Sequence, residues 1–188
     1  MKQDMILPRE FYNRDTVKVA KDLLGKTLVR KINGYTLSGT ITETEAYRYK
    51  DDPASHAHRG ITERNMAMFG EVGKAYVYFT YGMYYCFNVV AKSKRSGAGA
   101  VLIRAIEPQK GIEKMIRNRK TGQISNLTNG PGKLTQSLKI TKAQYGEDLA
   151  KQSTLYITEG VEPDKIVLGP RIGIRTATDK LWNFKISV

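Results

Sequence analysis

The chain has 188 residues, 40% of them hydrophobic and 26% charged, the balance of a folded protein with a core rather than of a disordered polymer. That length suits a single compact domain over residues 1–188, and no apolar run nears the ~20 residues that span a bilayer, so no membrane partner is expected. Lys and Arg number 31 against 18 acidic residues, and the net charge of +13 favours a polyanionic partner, with a generically soluble basic surface as the plainer alternative.

Asp15 is a good N-cap for a first helix that places Val17, Ala20, Leu23 and Leu24 on one side, with Gly25 suited to end it. Leu28–Arg30 reads as a short strand, Asn33-Gly34 as a hairpin turn, and Thr36–Tyr47 as the returning strand. Arg48–Gly60 is a polar loop, and Thr62 is placed to cap a helical segment through Met68, stopped at Gly70. Residues Ala75–Val90 read as two strands broken at Tyr81-Gly82-Met83, and Ala100–Ile106 as a strand ended by Pro108. Lys110–Asn118 is helical in pattern, with Ile112, Met115 and Ile116 inward; Gly130-Pro131-Gly132 precedes a short helix bearing Leu134 and Leu138. Two more strand-like stretches fall between Ile166 and Val188. The expected fold is mixed α/β (α+β), with a curved, largely antiparallel sheet flanked by helices.

The segment Glu43-Thr44-Glu45-Ala46-Tyr47 puts two carboxylates and a ring on one face of a strand. Taken alone, a solvated polar face explains it better than a functional one. Its context is the run from Tyr76 to Asn88, crowded with Tyr and Phe. Cores prefer Leu, Ile and Val, which bury no hydroxyl, so so many tyrosines suit a surface that grips something flat, such as nucleic-acid bases. His56 and His58 are the only histidines and Cys86 the only thiol, which falls short of any metal-ligand pattern, so no metal and no cofactor is expected. His56 fits a hydrogen-bonding or stacking role; His58 is given none. The lone Cys86 allows no internal disulfide, and Met1–Leu7 lacks a secretory signal, so a cytoplasmic rather than secreted protein is expected, nucleoid-associated if bacterial. Gly130-Pro131-Gly132-Lys133 fails the P-loop pattern, yet amides at a helix start beside Lys133 suit a DNA phosphate; a plain turn is the equal alternative.

Together these segments resemble the alkyladenine (3-methyladenine) DNA glycosylase family. The likeness runs from about Leu7 to Phe184 through Leu7–Tyr12, Ala20–Gly25, Glu43–Tyr47, Arg64-Asn65, Tyr76–Tyr78, Tyr81–Asn88, Leu102–Pro108, Gly130–Leu134 and Pro170–Ile174. Vertebrate members carry a long N-terminal extension that this chain lacks, and members usually continue several residues past the point where it stops. The resemblance implies Glu45 as general base and Arg104 as the residue that helps hold it and the attacking water. It implies Tyr47, His56, Tyr78 and Asn88 as the pocket for a flipped base, and Tyr81 as the wedge in the duplex. A backbone carbonyl, of Ile172 or Ile174, would position the water. The implied partner is double-stranded DNA containing damaged purines; a monomer is expected, since one enzyme can scan duplex DNA alone, and with no lysine marked as a nucleophile the expected reaction is hydrolysis without strand cleavage. Gly132 and Lys133 complete the set as phosphate contacts.

That set suits the chemistry. A methylated purine is cationic and is drawn to Tyr47 and Tyr78 by about 0.5–2 kcal/mol per ring, while an ionised carboxylate stabilises the positive sugar formed as the glycosidic bond breaks. A non-catalytic nucleic-acid-binding module would leave Glu45 and Arg104 idle. A carbohydrate hydrolase using Glu43 and Glu45 as a pair would leave the charge without a purpose.

Overall fold

The computed structural model describes residues 5–187. A short helix α1 (Arg9–Tyr12) leads into α2 (Thr16–Asp22), whose first turn is closed by Asp15, its carboxylate accepting from the Val17 and Lys18 amides. Gly25 follows at φ +80°, where a Cβ would stand 1.9 Å from the Val161 carbonyl oxygen. Strands β1 (Thr27–Ile32) and β2 (Tyr35–Tyr47) are joined through Asn33-Gly34, both at positive φ, the geometry that two-residue hairpin prefers. A second hairpin, β3 (Ala75–Thr80) and β4 (Tyr84–Val90), precedes β5 (Ala100–Lys110). Helices α3 (Ile112–Arg119) and α4 (Pro131–Leu138) and strands β6 (Leu155–Thr158), β7 (Ile166–Gly169) and β8 (Asn183–Ile186) complete the chain.

The strands form a curved eight-stranded sheet in the order β3-β4-β5-β2-β1-β6, with β8 laid along the far half of β2 and β7 outside it. All pairings are antiparallel. The fold is therefore the expected mixed α+β type. One sheet face carries Val77, Phe87, Val89, Val101 and Ile103, packed with Val19, Ala20, Leu23, Leu134 and Leu138 of α2, its end and α4. Each Val, Leu, Ile or Phe side chain among these, moved from water into the core, stabilises the fold by roughly 1.5–3 kcal/mol. The opposite face of β3–β5 carries a smaller cluster, Ala57, Met68, Tyr76, Val90, Ala98 and Ala100. Among the described residues no helix is long and apolar enough to cross a membrane.

Three expectations need correction. The helix from Thr62 to Met68 is absent; Thr62 and Asn65 instead clasp each other in a turn, and only Met66–Phe69 forms a short 3-10 helix. Asn65 spends its side-chain amide on the His56 and Gly60 carbonyls, so it closes a loop rather than continuing a helix. Pro108 does not end β5. The strand continues to Lys110 because Pro108 meets Gly39 beside a register shift, an irregular step where a residue without an N–H is tolerated. The helix expected from Lys110 begins instead at Ile112, after Gly111 at φ +74°. Helix α1 and strand β6 carried too short a pattern to be anticipated.

Candidate active site

Four neighbouring strands turn alternate residues to the side away from the main core. Glu43, Glu45 and Tyr47 come from β2; Tyr76, Tyr78 and Thr80 from β3; Cys86 and Asn88 from β4; Leu102 and Arg104 from β5. Thr44 and Ala46 point the other way, Thr44 donating to the Ala20 carbonyl and Ala46 packing in the core. Two successive register shifts, at Ile41/Glu43 and Glu43/Thr44, leave Thr42 and Arg104 without direct partners. Such bulges re-aim side chains, and here Arg104 reaches both carboxylates, its Nε 3.1 Å from Glu43 and its Nη1 3.4 Å from Glu45.

Glu45 is wholly buried. One of its oxygens accepts from the Ile172 amide at 2.7 Å and from Asn183 Nδ2 at 3.1 Å; the other accepts from the Tyr47 hydroxyl at 2.8 Å and from Arg104. All four partners are donors, so a buried carboxylate is fully satisfied and fixed in direction. Glu43 is bound to the same Arg104 and Asn183 and to Lys185. The two carboxylates thus sit side by side on shared donors rather than facing each other across a substrate space.

Beyond the Glu45 donors Tyr47 and Arg104 opens a cavity of about 410 Å³, within the usual range of small-molecule sites, lined by these two and by His56, Tyr78 and Asn88 among others. Ile172 and Ile174 both line it too. Burial raises the pKa of the Tyr47 and Tyr78 hydroxyls well beyond the ordinary value, assisted at Tyr47 by the Glu45 charge and at Tyr78 by Cys86. Both rings are therefore neutral. His56 lies exposed at the mouth, edge-on to Tyr78 with centroids 4.8 Å apart, its Nδ1 3.1 Å from the Tyr76 hydroxyl. Loss of solvation, then the Arg64 charge, lowers its pKa. Asn88 is buried and donates its amide to the Tyr76 carbonyl.

Tyr81 sits at the tip of the β3–β4 hairpin, at the edge of the cavity it helps to line, 83% exposed and at φ +51°, a conformation a residue with a Cβ adopts only at a cost. Gly132 lies in the first turn of α4 against the Tyr84 ring, and Lys133 is tethered to Asn126 and Asn129. Pro131 of the same turn lines the cavity, so Gly132 and Lys133 flank its rim.

Sequence reasoning missed three parts of this site. Asn183 is one polar residue in a strand, and the Ile172 donor is a backbone amide that no side chain advertises. The third is a buried ion pair: Arg171 grips Asp52 with two bonds of 2.6 Å, donates to the Ala46 carbonyl, and lies over the Tyr47 ring at 4.6 Å. Neither partner has exposed side-chain surface. It ties the His56 loop to the segment that presents Ile172.

A curved antiparallel sheet that buries a satisfied carboxylate behind the lining of an aromatic slot has the parts of a hydrolase for a flat ligand. The chain belongs to the methylpurine-DNA glycosylase family, whose model matches residues 10–188, and with it to the DNA glycosylases of DNA repair. It is 53% identical to a protein of Carboxydothermus hydrogenoformans over 96% of this chain and 94% of that one. It is 49% identical to one of Clostridium tetani (97% and 96%) and 46% to one of Methanocella arvoryzae (95% and 91%). All three bear the name "Putative 3-methyladenine DNA glycosylase".

Proposed function

We propose that this chain, working as one domain and as a monomer on the DNA of its cell, removes alkylated or deaminated purines, 3-methyladenine foremost and hypoxanthine and ethenoadenine besides, by hydrolysing the N-glycosidic bond. The observation that carries the reading is Glu45: fully buried and fixed by four donors, three of which, Tyr47, Arg104 and Ile172, line an aromatic cavity. A nucleic-acid-binding surface without catalysis has no use for a carboxylate there, since it repels phosphate.

The target nucleotide rotates out of the stack, at a cost of a few kcal/mol. Tyr81, held outward by its strained backbone, fills the gap it leaves. The base enters between Tyr47 and Tyr78, with His56 at its edge and Asn88 below as the group that rejects undamaged guanine; Gly132 and Lys133 take a phosphate at the rim. As the glycosidic bond breaks, positive charge grows on the sugar and Glu45 stabilises it. Glu45 accepts a proton from the attacking water while Arg104 and Tyr47 keep its second oxygen in place. The water's oxygen bonds to the sugar carbon and the base leaves with the bonding pair. No lysine lines the cavity among the described residues, which favours hydrolysis over an amine-linked intermediate and strand cleavage.

The test is methylated duplex DNA in EDTA. Free purine should be released and an unbroken abasic strand left, cut only on later alkali treatment. Duplex binding with no base released would instead support the binding module.

A further inference from the structure

Tyr78 is a partition. One side faces the cavity shared with Tyr47 and Arg104, and the other faces a second cavity of about 580 Å³ lined by Arg64, Met66, Phe79, Lys142 and Tyr145. On that second side the Arg64 guanidinium lies over the Tyr78 ring, 5.3 Å from its centroid, and donates to the Phe79 carbonyl at 3.2 Å. Arg64 comes from the turn that Asn65 clips to the His56 and Gly60 carbonyls, so its backbone is anchored to the rim of the site. Tyr47 also has an arginine over its face, Arg171, but that charge is balanced by Asp52. Arg64 forms no ion pair among the described residues, although Glu63 shares the second cavity. One wall of the slot is therefore backed by a neutral pair and the other by an unbalanced cation.

We infer that Arg64 is a specificity-determining residue, which sets how strongly the enzyme favours cationic methylated purines over neutral deaminated ones. The inference rests on the base-excision reading above. A ring attracts a cation through the electron density on its faces. A guanidinium on the outer face draws that density toward itself, and its own field opposes a second positive charge on the inner face. Both effects penalise a cationic base and spare a neutral one. Bond breaking moves one unit of charge from base to sugar in either substrate, so the bases differ by one unit in the ground state and in the transition state alike. The ratio of kcat/KM values therefore carries the effect undiminished. At about 9 Å, through a partly hydrated path of effective dielectric near 40–60, a unit charge changes that ratio about three- to fivefold. Arg64 thus broadens the substrate range by holding back the preferred cations.

The experiment compares excision of 7-methylguanine, cationic, and of hypoxanthine, neutral, from otherwise identical duplexes at pH 8 and low salt. The proteins are wild type, Arg64→Met and Arg64→Lys. The Met variant should raise the cation-over-neutral ratio about three- to fivefold, and the Lys variant should keep it within twofold of wild type. A loss of stability or of general DNA affinity lowers both substrates together and leaves the ratio alone. An unchanged or lowered ratio in Arg64→Met overturns the inference. Absence of any release by wild type overturns the base-excision reading itself.

Discussion

At the scale of single residues, the site is governed by which groups can carry charge. His56 shows this most plainly, because desolvation and then the Arg64 charge lower its pKa from 6.5. In the folded protein it stays neutral at neutral pH, and in the proposed reaction it would place no repelling charge beside a cationic base. The unfolded chain takes up its proton first as the pH falls through 6.5, so stability is lost on that side and none is at stake above it. His56→Gln should therefore flatten the fall in urea-unfolding stability from pH 6.5 downward while leaving values at pH 8 close to wild type. An unchanged acid slope would remove His56 from this role. The proposed pocket residues Tyr47, Tyr78, Asn88 and Arg104 are named through the family resemblance, and strand alternation by itself places only Tyr47 on the face of Glu45. Asn183 and the Ile172 amide were not legible: the first is an unremarkable polar residue in a strand, and the second belongs to every non-proline residue alike.

At the scale of elements, local chemistry that acts within a few residues was readable, and chemistry that acts across the chain was not. The Asp15 cap and the Asn33-Gly34 hairpin formed as expected because their causes lie inside the motif. Thr62 failed as a helix start because Asn65, three residues on, is committed to carbonyls of the preceding loop. The Asp52–Arg171 pair spans 119 positions, so nothing near Asp52 in sequence signals it. Its energetic weight can be measured. Asp52→Ala leaves a buried guanidinium unpaired, and such a loss costs about 3–5 kcal/mol. Urea unfolding should show a fall of that size, and excision should slow even where the variant remains folded, since Arg171 adjoins the Ile172 amide on Glu45. A loss under about 1 kcal/mol would mean that the guanidinium finds other partners.

At the scale of the whole molecule, the net charge of +13 and the buried carboxylate answer different needs. The charge draws the enzyme to DNA of any sequence and does so less well as salt rises. In the proposed reaction Glu45 contributes nothing to that attraction and serves the chemistry alone. The two are separable by one substitution. Single-turnover base release from a duplex with one lesion, measured beside duplex affinity for wild type and Glu45→Gln, tests this division most directly. The account predicts that Glu45→Gln loses at least about a hundredfold in release rate while binding the duplex as tightly as wild type or more so. Release within a few fold of wild type would contradict it, and Glu45 would not be the base.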